Sequence, residues 1–196
     1  SAPGEVLLEV QGLAGVGKPS DVSLTLRRGE VLGIAGLVGT GRTELLRAIF
    51  GLDPVLRGSI RVGVHVGPAS PSRRLREGVG FVSEDRKGEG LALSMSVADN
   101  LTLSKLEGFG PWGLVRRRAQ NAAAARWIED LGVRCQGPEQ PVGSLSGGNQ
   151  QKVALGRLFH HGVDVLLLDE PTRGVDIASK ATLYALIDRA RRAGKG

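Results

Sequence analysis

The chain has 196 residues, 41% of them hydrophobic and 23% charged, with a formal net charge of +6. That is long enough for one sizeable α/β domain with a filled core. It holds no apolar run near the roughly 18 residues needed to span a bilayer, and at 4% aromatic residues it has no stacking platform for single-stranded nucleic acid.

The basic residues are scattered as Arg73, Arg74 and Arg76, then Arg116 to Arg118, then Arg189, Arg191 and Arg192. They are read as solvated helix faces and interface rims, and nucleic acid is not expected as a partner. The opening SAPGEVLLEV lacks a basic stretch followed by an apolar one, so no leader is expected. The lone Cys135 cannot form an internal disulfide, which fits a reducing compartment and a cytoplasmic location.

In chain order, residues 5–10 and 22–26 alternate and are expected as antiparallel strands with a glycine-bearing loop between them. Val31 to Ala35 reads as a buried strand entering a Gly-rich turn. A helix follows with Leu45, Leu46 and Ile49 on one face, stopped by Gly51. Residues 59–66 suggest one short strand, GPASPS a loop, and residues 78–83 a core strand. From about 90 to 150 the pattern turns helical, with Ala123, Trp127 and Leu131 four apart, and Pro138 and Pro141 marking a linker. SGGNQQKVALGRLFH predicts a helix, VDVLLLDE a buried parallel strand, and ASKATLYALIDRARRAG a last helix.

Three motifs carry chemistry. GLVGTGRT (36–43) sits between a strand and a helix, where a triphosphate needs N–H groups curled into a concavity. Gly36, Gly39, Thr40 and Gly41 form that curl, Arg42 stands where the motif expects Lys, and Thr43 offers a hydroxyl where Mg²⁺ would sit. VDVLLLDEP ends a buried strand with Asp169, placed to hold Mg²⁺, and Glu170, placed to polarise an attacking water. LSGGNQQK (145–152) opens a helix with Ser146, Gly147 and Gly148, so its positive end is bare of large side chains. A second phosphate-grade helix start makes sense if it serves another subunit's nucleotide.

GLVGTGRTELL, FVSEDRKGEGL, LSGGNQQKVALGR and LDEPTRGVD together resemble the ATP-binding-cassette family. They are most similar to the carboxy-terminal nucleotide-binding domain of ribose/galactose/xylose-type importers, where two such domains are fused in one polypeptide. The similarity runs from about residue 5 to 192. It implies an α/β fold: a P-loop NTPase core with a mostly parallel sheet, an N-terminal antiparallel β subdomain and an inserted α-helical subdomain near 90–150. Residues 1–196 would then be a single cassette lacking its C-terminal part.

The resemblance further implies ATP and Mg²⁺ as cofactors. Glu170 and Glu84 become catalytic candidates, Ser146, Gly147, Gly148 and Gln150 the signature acting on the partner's nucleotide, and Asp176 the loop across the dimer. The implied partners are a second nucleotide-binding domain, transmembrane permease subunits and, indirectly, an external sugar-binding protein, at the inner face of the membrane. Glu84 stands where such cassettes carry Gln, and no aromatic residue lies between Val10 and Val22 to stack adenine. Intact Thr43, Asp169 and Glu170 favour a hydrolysing transport ATPase. Arg42, Glu84 and the missing aromatic favour a weakly or non-hydrolysing cassette that completes its partner's site. EDRK and GGNQQK argue against the soluble cassettes of DNA repair and translation.

Overall fold

Leu8 and Val10, two apart, and Leu13 beyond a register shift put one face of the first strand in the core, and the rest of that sheet grows from it. In a computed structural model that describes residues 4–37 and 39–196, β1 spans Val6–Gly15 and pairs antiparallel with β2 (Val22–Arg27) and β3 (Val55–Val62). β4 (His65–Val66) adds to β3, giving the order β2-β1-β3-β4. β1 runs further than the alternation suggested, because irregularities in its register carry Gly12 and Gly15 within the strand. The single strand expected at 59–66 is the end of β3, a turn at Gly63, and β4. GPASPS is not all loop, since Pro71 begins the short helix α2 (Pro71–Arg76), proline being favoured in a helix's first turn.

α1 (Arg42–Phe50) lays Leu45, Leu46 and Ile49 into a core shared with Leu8, Val10, Ile60 and Val62. Gly51 ends it in the left-handed conformation, as expected. β5 (Val79–Val82) and β6 (Val165–Leu168) form a second sheet, and Val79, Val165 and Leu167 belong to the same core as α1. The buried strand expected at Val31–Ala35 is not formed. Residues 31–37 run irregularly and exposed, with Val31 at 60%. Apolar composition does not make a strand without a neighbour to share its ladder, and no described strand pairs there.

The chain divides into two units: residues 4–81, 163–169 and 187–196 form the first, and 82–162 with 170–186 the second. The second is helical, with α3 (Val97–Thr102), α4 (Arg117–Asp130) and α5 (Gly147–His161) burying Val97, Leu101, Ala124 and Val153. α6 (Ile177–Arg192) begins in the second unit and ends in the first. Asn100 organises the entry to α3. Its amide accepts from Ala92 N–H at 2.9 Å and donates to the carbonyls of Ala92 and Ser96, both at 3.0 Å. The proline-marked linker is held to the same helix start, where Val97 and Ala98 N–H donate to the Gln140 and Pro138 carbonyls at 2.9 and 2.8 Å. Among the described residues no helix is long and apolar enough to cross a membrane.

Candidate functional site

In the first unit the phosphate-type turn is built on Gly41, which precedes α1 at φ 98°, a conformation side chains resist. A Cβ there would also lie 2.9 Å from Lys18 Cβ, so two constraints keep the position small. Thr40 closes the curl, its hydroxyl donating to the Leu37 carbonyl at 2.8 Å and its N–H to the same oxygen at 3.2 Å. Gly36 lies under that hydroxyl, and Gly39 has open space beside it. Val38, inside the GLVGTGRT run, lies outside the described residues.

The start of α1 leaves its first N–H groups without intrahelical partners, at the positive end of the helix. Arg42 and Thr43 stand in that first turn, half-buried. Lys18, from the β1–β2 loop, donates its ammonium to the Gly39 carbonyl. No sequence signal pointed to it, since a lysine in a glycine-bearing loop reads as solvated.

Asp169 follows β6 in the same unit, one residue past a strand that shares the α1 core. It is 4% exposed, and its Oδ2 is sealed from solvent. Thr43 and Asp169 offer hard oxygen donors of the kind Mg²⁺ takes when phosphates complete its shell. Glu170, the next residue, is exposed and stands at φ 44°. A left-handed non-glycine residue of this sort is a mark of functional sites.

In the second unit the structure brings the start of α5 against Asp176, at Gly148. Ser146 precedes α5 in an extended conformation, and its hydroxyl accepts from Asn149 Nδ2 at 2.9 Å. Gly148 faces the start of α6, where a Cβ would collide with the Ser179 side chain and lie 3.4 Å from Asp176 Oδ2. Gln150 is buried, its amide donating to the Leu145 carbonyl at 3.1 Å and so shaping the turn ahead of α5. Asp176 accepts from Ser179 N–H at 2.9 Å, and the bonds from Ser179 hold its carboxyl below the usual range. Glu84 is ion-paired with Arg173. Arg86 donates to the Gly147 carbonyl at 2.8 Å, a link that sequence reasoning missed. Among the described residues there is no cluster of three or more His, Cys, Asp or Glu side chains able to hold a metal.

The chain belongs to the ABC transporter family, which it matches over residues 19–173. It is 51% identical to ribose import ATP-binding protein RbsA 2 of Rubrobacter xylanophilus, covering 99% of this chain and 37% of that protein. With ribose import ATP-binding protein RbsA of Corynebacterium glutamicum it shares 47%, covering 99% of this chain and 38% of the relative. The chain thus spans little more than a third of the curated relatives it matches.

Solved structures bear out the fold. A nucleotide-free ATP-binding cassette from an ABC transporter superposes with a TM-score of 0.81 at 18% identity, over 97% of this chain and 79% of that one. A dimeric ATP-binding cassette bound to ADP and Pi gives 0.80 at 19%, over 96% and 85%.

Proposed function

We propose that this chain is one cassette of a two-cassette ATPase subunit that drives carbohydrate import through a membrane permease. The observation that carries the proposal is the occurrence in one chain of two helix starts suited to phosphate. One, at Gly41, is preceded by a glycine curl; the other, at Gly147, carries no side chain of its own in its first two residues, with Arg86 beside Gly147 and Asp176 beside Gly148. A chain with both can hold its own nucleotide and close over another's. The names of the relatives and the third or so of their length that this chain covers support the sugar and the second cassette.

The phosphate curl and the α1 dipole bind the anionic end of MgATP, with Arg42 as the adjacent cation. Bound Mg²⁺ would neutralise developing phosphate charge, held by Thr43 and Asp169. Glu170 orients and polarises the attacking water, and Glu84 stands by as a second acid. Ser146, Gly147, Gly148 and Gln150 form the face offered to the partner cassette, with Asp176 beside it. The assembly would work at the cytoplasmic face of the membrane, taking its sugar from an external binding protein through the permease.

The test is ATP-dependent uptake of radiolabelled sugar by proteoliposomes holding the full-length protein and its permease. Uptake and phosphate release should both require MgATP and both fall with Thr43→Ala. Uptake without ATP, or none with any sugar tried while phosphate is released, would overturn the importer reading. A second reading, a cassette that hydrolyses weakly and chiefly completes its partner's site, is favoured by Arg42 in the lysine position, by Glu84 and by the absence of an aromatic residue between Val10 and Val22.

A further inference from the structure

Arg86 lies in a single wide helical turn, Arg86–Gly90, capped by Asp85, whose side chain accepts from Lys87 and Gly88 N–H at 3.1 and 2.9 Å. Its guanidinium reaches across the second unit to the first residue of α5 and donates to the Gly147 carbonyl at 2.8 Å. The fit is close on both sides. A Cβ on Gly147 would stand 3.1 Å from Nη1 and 3.4 Å from Nη2, and one on Gly174 would stand 3.3 Å from Nη2. The guanidinium therefore lies between the opening turn of α5 and the loop that carries Asp176. Its acidic chain neighbours are engaged elsewhere, Glu84 with Arg173 and Asp85 with backbone N–H groups. A fixed cation thus stands at a helix end whose dipole is already positive.

We infer that Arg86 is a positioning residue for the signature turn, and that its charge adds to the field which that turn presents to a nucleotide phosphate on the partner cassette. The inference rests on the proposed reading of α5 as a phosphate-facing helix. Two consequences follow from the geometry. Removing the guanidinium frees the Gly147 carbonyl and leaves the turn unbraced. It also withdraws the charge without touching the phosphate curl at Gly36–Thr43.

The experiment measures ATP hydrolysis by the full-length protein assembled with its permease, comparing the wild type with Arg86→Ala and Arg86→Lys. Loss of one charge-assisted hydrogen bond at a phosphate-facing turn should lower kcat about tenfold in Arg86→Ala, with KM for ATP little changed. Arg86→Lys should recover most of that loss. A wild-type kcat in Arg86→Ala overturns the inference, as does a loss carried by KM alone. Should Arg86→Ala fail to fold, Arg86→Gln replaces it. Gln can donate to Gly147 without a charge, and a Gln variant as active as the Lys variant overturns the electrostatic role. A Gly147→Asp control separates the two levels: normal turnover there removes the reading of α5 itself, whereas a dead Gly147→Asp beside a fully active Arg86→Ala removes only the role of Arg86.

Discussion

Arg74 and Glu77 form a buried ion pair, Nη1 to Oε2 at 2.6 Å, with side chains 1% and 4% exposed. The same guanidinium donates to the carbonyls of Ile49, at the end of α1, and Gly67 at 2.9 and 2.6 Å. Burial opposes charge on Glu77, but hydrogen bonds from Arg73 and Arg74 outweigh it and hold the carboxyl below the usual range. Removing Arg74 leaves Glu77 Oε2 and the two carbonyls without that donor, while the exposed Arg73 stays on Oε1 at 2.8 Å. Arg74→Met should therefore cost about 3–5 kcal/mol in urea unfolding, and Arg74→Met with Glu77→Leu should recover part of it. A cost under about 1 kcal/mol for the single variant would show the pair to be dispensable.

Acid should act on the helical unit through Asp99. Burial disfavours its charge, but the Ser96 hydroxyl, Arg117 and Gln120 outweigh that and hold the carboxyl below its usual range. Arg117 lies 2.8 Å away and Gln120 3.1 Å. With a folded-state pKa below the unfolded value of about 3.9, the ionised form stabilises the fold fully above that pH, and the contribution is lost as pH falls through the folded pKa. Asp99→Asn should lower the melting temperature at pH 6 and flatten its decline between about pH 4 and 2. Parallel wild-type and variant curves across that range would remove the role assigned to Asp99.

Much of this was legible because it is local. The spacing of Leu45, Leu46 and Ile49 specifies the buried face of α1, Gly51 its end, and the apolar run before Asp169 a core strand. The bare Ser146–Gly148 start also needs no tertiary information. What escaped depends on partners distant in the chain. Arg74 belongs to a basic cluster indistinguishable from a solvated helix face until Ile49, Gly67 and Glu77 converge on it. Arg86 meets Gly147 sixty-one positions along, and nothing in EDRK encodes that reach. Val31–Ala35 failed in the opposite sense. Its composition suits a buried strand, but strand formation is a property of the ladder, and the described strands leave it outside.

The chain by itself should bind MgATP weakly. The β1–β2 loop carries no aromatic to stack a base, and Arg42 presents a planar fork where a compact ammonium would seat between phosphates. Losing one stacking contact forfeits about 0.5–1.5 kcal/mol, up to about tenfold in affinity. Calorimetric titration is expected to give micromolar or weaker binding with negligible phosphate release. Sub-micromolar affinity with steady release would contradict it.

In an assembled pair this chain should serve its partner's site more than its own. If each nucleotide lies between one cassette's phosphate curl and the other's signature helix, a lesion in α5 acts on the partner's site and a lesion at Glu170 on this chain's own. The curl here departs from the usual pattern at Arg42, whereas Ser146, Gly147 and Gly148 are intact and packed against Arg86 and Ser179. The larger contribution should then be to the partner. A carboxylate in place of Gly147 would crowd Arg86 and the Gly174 carbonyl and would oppose a phosphate in a poorly screened gap, where like charges cost several kcal/mol. Gly147→Asp in the full-length transporter should abolish hydrolysis and uptake, while Glu170→Gln should leave a substantial fraction of both. Steady-state phosphate release and sugar uptake, measured side by side in proteoliposomes, decide the matter. Near-total loss from Glu170→Gln would assign the working site to this chain, and normal turnover in Gly147→Asp would remove α5 from the mechanism.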